Sequence, residues 1–205
     1  MHLRAVIFDY GEVLSQPANP TAHRNLLRVA GVPQEVFDKL YWDYRLDYDA
    51  GILNSSTYWE KIGAEAGTEF TSGQIQEMRA LDARMWTDLN EPMVAWALEI
   101  KRAGFLIGIL SNMGEGVHRA MRDSFTWLDQ FDTHVWSYEV GMVKPDPAIY
   151  AEAVRRLRIQ PAEALFIDNL EINVAGARDA GLRSVVFRDV DQLSQELREQ
   201  GFDLP

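Results

Sequence analysis

The chain contains no cysteine, so disulfides and thiolate metal sites are excluded, and the absence agrees with a cytoplasmic setting. No stretch approaches the roughly 20 apolar residues of a membrane span. The N-terminus has no charged leader followed by a long apolar segment, and its first apolar run ends at Asp9. Basic residues are few. With 20 Lys and Arg against 31 Asp and Glu the net charge is −11, which disfavours a nucleic-acid groove or an anionic membrane surface as partner. The four histidines (His2, His23, His118 and His134) show no ligand spacing, and there is no internal repeat or low-complexity tract. These absences predict a soluble, acidic, cytoplasmic protein.

What is present is ample material for a core. Hydrophobic residues make up 47% of 205, which suits one domain with an insertion, or a core with a small second domain. The organising stretch is Ala5-Val6-Ile7-Phe8-Asp9-Tyr10-Gly11-Glu12-Val13-Leu14. Its continuous apolar start reads as a buried parallel strand, and the strand ends in one carboxylate. A charged residue there sits at the carboxyl edge of a sheet, where open α/β folds bind ligands.

From residue 15 to residue 91 the pattern is helical, with four or five helices expected. Ala22, Leu26, Leu27 and Ala30 share helical spacing, and Gly31-Val32-Pro33 stops that helix. Val36, Leu40, Tyr41 and Tyr44 continue an apolar stripe. Ser55-Ser56-Thr57 and Thr71-Ser72 open two further helices. After residue 92, helices and strands alternate. Strands are expected at 105–110, 134–136, 164–167 and 183–187, and helices at 92–103, 147–157, 172–180 and 190–200. That alternation predicts a parallel sheet covered on both faces. The expected organisation is thus a core of residues 1–14 and 92–205 with a helical insertion at 15–91.

Several of these strands end in polar residues: Asp9 after Phe8, Ser111-Asn112 after Leu110, and Asp168-Asn169 after Ile167. A proline-fixed loop, Gly141-Met142-Val143-Lys144-Pro145-Asp146-Pro147, holds one lysine. On one edge of a parallel sheet, Asp9, Ser111, Lys144 and Asp168 can converge as a nucleophile, a hydroxyl donor, a cation and an oxygen ligand. Carboxylate and carbonyl oxygens suit Mg²⁺. Lysine and hydroxyl groups neutralise developing phosphoryl charge, and a carboxylate can attack phosphorus to form an aspartyl-phosphate.

In their order and content these segments resemble the haloacid dehalogenase-like superfamily. Its four motifs match Val6-Ile7-Phe8-Asp9, Leu110-Ser111-Asn112, Lys144-Pro145-Asp146-Pro147 and Phe166-Ile167-Asp168-Asn169. Gly176-Ala177-Arg178-Asp179-Ala180-Gly181 adds to the likeness. The resemblance implies a Rossmann-like α/β core with residues 15–91 as a helical cap. It implies a Mg²⁺-dependent phosphatase acting on a small phosphorylated metabolite, with catalytic residues Asp9, Ser111, Lys144 and Asp168. Asp9, the Gly11 carbonyl, Asp168 and Asn169 are implied around the metal. The candidates for substrate contact are Tyr10, Ser111, Asn112 and Lys144, joined by Tyr44, Arg45 and Tyr48 from the cap.

Two positions depart from the family pattern. Gly11 stands where phosphatases of this kind usually carry a second, acid–base aspartate, and Asn169 stands where the second acidic residue of the fourth motif is usual. Losing the acid–base group costs typically about 10²–10⁴-fold in rate. Glu12 is a candidate replacement, although neighbouring positions seldom point the same way. The form of the first motif is similar to that of α-glucose-1-phosphate phosphatases, which suggests sugar 1-phosphates with their comparatively acidic leaving groups. A second reading is a 2-haloacid dehalogenase, which also lacks the second aspartate and uses an early cap arginine, for which Arg24, Arg28 and Arg45 are candidates. A third is a binding protein on a decayed scaffold, suggested by Gly11 and Asn169. Gly114-Glu115-Gly116, after a strand, offers only a fragment of a dinucleotide-binding fingerprint.

Overall fold

The first strand, β1 (Ala5–Phe8), is wholly buried and central. In the computed structural model, which describes residues 2–202, 204 and 205, it pairs in parallel with β2 (Leu106–Ser111) on one side and β4 (Ala164–Asp168) on the other. Adding β3 (Thr133–Trp136) and β5 (Arg183–Val186) gives a five-stranded parallel sheet of order β3-β2-β1-β4-β5. Phe8 lies level with Ile109 and Ile167, and the Asp9 N–H continues the ladder to the Ile167 carbonyl at 2.8 Å. Asp9, Ser111 and Asp168 therefore reach the same edge. Because the chain leaves β1 for neighbours on both sides, that edge carries the crevice in which such sheets bind ligands.

The two faces of the sheet are covered differently. Val6, Phe8, Ile107, Ile109, Leu165 and Ile167 pack on α6 (Glu91–Arg102), α7 (Glu115–Ser124) and α11 (Val190–Glu199). A short α8 (Ser137–Val140) follows β3, and Ala5, Ile7, Leu110 and Phe166 pack on α9 (Pro147–Leu157) and α10 (Glu171–Asp179). Gly176 on α10 meets Pro145 so closely that a Cβ there would lie 2.8 Å from the proline Cβ. That approach seats the lysine-bearing loop against the sheet.

Five helices form the insertion: α1 (Pro20–Ala30), α2 (Gln34–Asp43), α3 (Arg45–Asp49), α4 (Ser55–Glu65) and α5 (Ser72–Met85). Their apolar faces make a separate cluster around Leu26, Phe37, Tyr58, Trp59, Ile62 and Met78. Side-chain caps fix the starts, from Asn19 on α1, Asn54 on α4 and Thr71 on α5. The two chain crossings between core and cap run side by side, with Ser15 bridged to Leu89 and the Gln16 N–H donating to the Asp88 carbonyl at 2.7 Å.

Several local expectations need correction. The first strand stops at Phe8 as expected, but Tyr10–Leu14, for which no element was expected, forms a wide turn closed by the Ser15 N–H on the Tyr10 carbonyl at 2.9 Å. The cap of α4 is Asn54, one residue before the serines. On α2 Leu40 and Tyr41 are buried as expected, but Phe37 takes the place of Val36, which is 40% exposed. Helix α7 was not expected; of its residues only Val117, His118 and Met121 are buried.

The Gly114-Glu115-Gly116 fragment serves the cap. Tyr48, from α3, stacks on Tyr58 with 4.6 Å between ring centroids, and its hydroxyl accepts the Gly116 N–H at 3.0 Å. A Cβ on Gly114 would lie 2.3 Å from the Tyr48 ring. The Glu115 carboxylate accepts the Ser55 N–H at 3.0 Å, and Ser137 Oγ donates to the Asp49 carbonyl at 2.5 Å. These contacts hold the cap on the core. Gly114→Ala is expected to destabilise the protein by about 1–3 kcal/mol through overpacking, read as a lower urea midpoint, with the Tyr48 ring displaced from its seat.

Candidate active site

Lys144 forms the centre of the strand-end cluster. Its Nζ lies 2.7 Å from Asp168 Oδ2 and 2.9 Å from Asp9 Oδ1, and all three residues are buried. Burial alone would lower the lysine's pKa, but the two carboxylates outweigh it and hold the group cationic above its ordinary value. Burial pushes Asp9 up to about 6; the charge of Asp168 adds to that, while Lys144 and the Ser111 hydroxyl oppose it.

Each neighbour has a definite task. The Oδ1 atom of Asp9 also accepts the Tyr10 N–H at 2.7 Å. Asp168 Oδ1 accepts the Leu170 N–H at 2.8 Å, and Asn173 Nδ2 lies 3.2 and 3.1 Å from its two oxygens. With Lys144 on Oδ2, the acceptor sites of Asp168 are engaged by donors, which makes it the anchor of the lysine. The Asn112 carboxamide grips the lysine loop, with Oδ1 accepting the Lys144 N–H at 2.8 Å and Nδ2 donating to the Lys144 carbonyl at 3.0 Å. Its role is thus to position Lys144, although it also borders the cavity.

A cavity of about 480 Å³ opens over this cluster, between the sheet edge and the cap. Asp9, Gly11, Ser111, Lys144, Asn169 and Asn173 line its floor, and Tyr10 and Arg45 also face it. The Tyr10 hydroxyl is bound to the Trp86 carbonyl at 2.6 Å, so Tyr10 offers the cavity its ring. Tyr44 and Tyr48 lie outside the lining; Tyr44 sits under Lys61 and Tyr48 in the glycine seat. A larger hollow of about 610 Å³ between α4, α5 and α7 is lined by mixed charges such as Glu60, Arg79 and Arg119, and holds none of the strand-end groups.

Sequence reasoning passed over Trp42, Leu46, Asp49, Trp86 and Asn173, all of which line the cavity. A signal for four cap residues was available, since Trp42, Arg45, Leu46 and Asp49 fall at i, i+3, i+4 and i+7 and share one helical face. Trp42 and Leu46 are more than half exposed at the mouth. Arg45 is not a free cation. Its Nε lies 3.0 Å from Asp49 Oδ1 and its Nη1 3.4 Å from Asp82 Oδ1, and it also donates to the Tyr41 hydroxyl. Of the other cap arginines proposed from sequence, Arg24 donates to Thr21 at 2.8 Å and Arg28 faces Glu77 at 3.7 Å; neither lines the cavity.

Among the described residues, no three His, Cys, Asp or Glu side chains gather as a metal site. Among the lining residues, Asp9, Gly11 and Asn169 are those that the resemblance implies around a metal, through a carboxylate, a backbone carbonyl and an amide oxygen. This all-oxygen set fits Mg²⁺, which keeps several waters and takes one or two carboxylates with substrate phosphate.

Comparison with known proteins agrees with this fold. The family model for haloacid dehalogenase-like hydrolases matches residues 3–181. The chain is 28% identical over 222 residues to bifunctional epoxide hydrolase 2 of Sus scrofa, covering 97% of this chain but only 39% of that protein. It is 28% identical over 189 residues to phosphatase MT3486 of Mycobacterium tuberculosis, covering 90% and 87% of the two chains. It is 26% identical over 192 residues to (S)-2-haloacid dehalogenase 4A of Burkholderia cepacia, covering 89% and 82%. A solved structure of the haloacid dehalogenase family enzyme BT-2542 of Bacteroides thetaiotaomicron, in complex with magnesium and inorganic phosphate, superposes with a TM-score of 0.74. It is 20% identical and covers 93% of this chain and 98% of that one. The chain belongs to the haloacid dehalogenase-like hydrolases, and it is an enzyme of that class. No helix among the described residues is long and apolar enough to cross a membrane.

Arg45→Met would leave Asp49 and Asp82 buried without their cation, and is expected to cost about 3–5 kcal/mol, read by urea unfolding. Burial already raises the Asp49 pKa in the native fold. Without Arg45 the folded state would bind protons more readily than the unfolded chain, so stability should fall as pH rises through the raised value. The loss in the variant should therefore be smaller at pH 5 than at pH 8.

Proposed function

We propose that this protein is a Mg²⁺-dependent phosphatase that hydrolyses a small phosphate monoester through an aspartyl-phosphate on Asp9. The observation that carries this reading is the Lys144 bridge between Asp9 and Asp168 at the floor of a cavity that Gly11, Ser111 and Asn169 also line. Asp9, the Gly11 carbonyl and the Asn169 amide would hold the cation, and Asp168 would act through Lys144. When bound, the cation supplies charge neutralisation at the phosphoryl oxygens.

The chemistry of the chain follows from the placement. A carboxylate oxygen of Asp9 attacks phosphorus, and the phosphorus–oxygen ester bond breaks. Ser111 and Lys144 stabilise the phosphoryl oxygens as charge develops. The leaving oxygen takes its proton from water, because Gly11 has none to give. Water then attacks the phosphorus of the aspartyl-phosphate, releasing phosphate and restoring Asp9. The rings of Trp42 and Trp86 offer flat apolar surfaces at the cap side, against which the C–H face of a sugar ring can lie. A dehalogenase of this family binds its carboxylate substrate with a cap arginine, whereas the Arg45 guanidinium is held by Asp49 and Asp82. That observation weighs against the dehalogenase reading.

Phosphate release from a panel of monoesters should require Mg²⁺, stop with EDTA, and fall to background in Asp9→Asn, whose amide cannot attack phosphorus. Release of halide from 2-haloacids with no phosphate release would refute the proposal. A second expectation concerns the missing acid. Gly11 has ordinary extended angles (φ −63°, ψ 124°) that any residue adopts, and a Cβ there would meet nothing nearer than Asp9 Oδ2 at 4.0 Å. Gly11→Asp should therefore fit, and should raise kcat by about 10²-fold or more on alkyl phosphates, with less effect on sugar 1-phosphates or aryl phosphates.

A further inference from the structure

Glu12 occupies a backbone conformation that non-glycine residues adopt uncommonly, with φ +57° and ψ 9°. The turn that imposes it is tied at both ends: the Glu12 N–H donates to Ser15 Oγ at 3.1 Å, and the Ser15 N–H donates to the Tyr10 carbonyl at 2.9 Å. Such conformations persist where surrounding structure over-determines them, and they cluster at functional sites. Glycine would meet this demand without strain, yet the chain carries a glutamate.

The carboxylate of that glutamate reaches across the sheet edge to Asn169, whose Nδ2 donates to Glu12 Oε2 at 3.2 Å. Both residues line the catalytic cavity beside Asp9 and Gly11. A carboxylate only accepts hydrogen bonds, so it selects the nitrogen end of the Asn169 carboxamide and leaves Oδ1 on the opposite side. Without such a partner, the carboxamide has no fixed orientation before a cation arrives. Glu12 also returns a negative charge to a position where Asn169 has none. Among the described residues it does not gather with two further carboxylates as a direct ligand set, and its bond to Asn169 engages it away from acid–base work at the ester.

We propose that Glu12 is a positioning residue for the divalent-cation site, holding Asn169 with its amide oxygen available to Mg²⁺ and supplying the charge that this asparagine lacks. The inference rests on the Mg²⁺-dependent reading above. The Glu12–Asn169 pair then does jointly what a single acidic residue would do at position 169.

The test is calorimetric titration of MgCl₂ into the intact protein, with bound Mn²⁺ followed by electron paramagnetic resonance as a second probe. Glu12→Gln and Glu12→Ala should weaken Mg²⁺ binding about 10-fold or more, the range seen when partners of metal ligands are lost, with unchanged urea midpoints showing that the fold is kept. In an Asn169→Asp background there is no N–H to accept, and Glu12 faces a like charge. There Glu12→Gln should leave affinity unchanged or raise it. If the native protein binds Mg²⁺ and both single variants bind it equally well, the role of Glu12 is overturned while the phosphatase reading stands. Equal weakening in both backgrounds would overturn positioning through Asn169. A native protein that binds neither Mg²⁺ nor Mn²⁺ would overturn the metal-dependent reading and this inference with it.

Discussion

One cation between two buried carboxylates sets the terms for the rest of the structure. Lys144 cannot be buried alone, because an unpaired ammonium in a low-dielectric interior is costly. It is tolerated because Asp9 and Asp168 approach it from adjacent strands. Asp168, in turn, is tolerated because Leu170 and Asn173 donate to it. The lysine loop stays close enough for this only because Asn112 grips its backbone and Gly176 admits Pro145. The chain of requirements runs from strand register to loop placement to the charge state of Asp9.

This arrangement explains which parts of the molecule were legible in the sequence. A strand buried on both faces must be apolar throughout, so β1 and β4 were readable, and so was the change to polar residues at their ends. The convergence of Asp9, Ser111, Lys144 and Asp168 followed from the parallel topology. The tasks within the cluster did not follow. Whether Asn112 contacts substrate or grips a loop depends on a distance of about one hydrogen bond, which spacing does not encode. Helix α7 escaped notice because its polar residues outnumber the few that pack. The glycines at its start looked like a fragment of a dinucleotide-binding fingerprint, whereas they leave room for the Tyr48 ring. Glycine marks close approach without saying what approaches.

The cap repeats the same logic with a different outcome. Arg45 and Asp49 lie on the face turned to the cavity and would look, from spacing alone, like groups for substrate. Instead they neutralise each other with Asp82 and Tyr41, and the guanidinium keeps its charge above its ordinary range, since the surrounding acidic groups outweigh burial. The cap thus presents the cavity with rings and alkyl groups, and its ionised groups are internally matched. Selectivity on that side rests on shape and apolar contact, which discriminate less sharply than hydrogen bonds do.

The balance of charge around the cavity leads to a stronger conclusion about the chemistry. Lys144 is already shared by two carboxylates, Arg45 is held by two more, and Glu12 stands at the rim. A phosphate monoester arriving here finds no uncommitted cation among the residues lining the cavity. Like charges at 4 Å repel by about 4 kcal/mol at an effective dielectric of 20, so the protein's own groups disfavour binding a dianion. Two things could offset this: a proton on Asp9, whose pKa is raised toward neutrality, or an added divalent cation. The proton would disable the nucleophile that the reaction needs. An added cation neutralises substrate and carboxylate together and leaves Asp9 ionised. The acidity of this site therefore supports the metal-dependent reading proposed above.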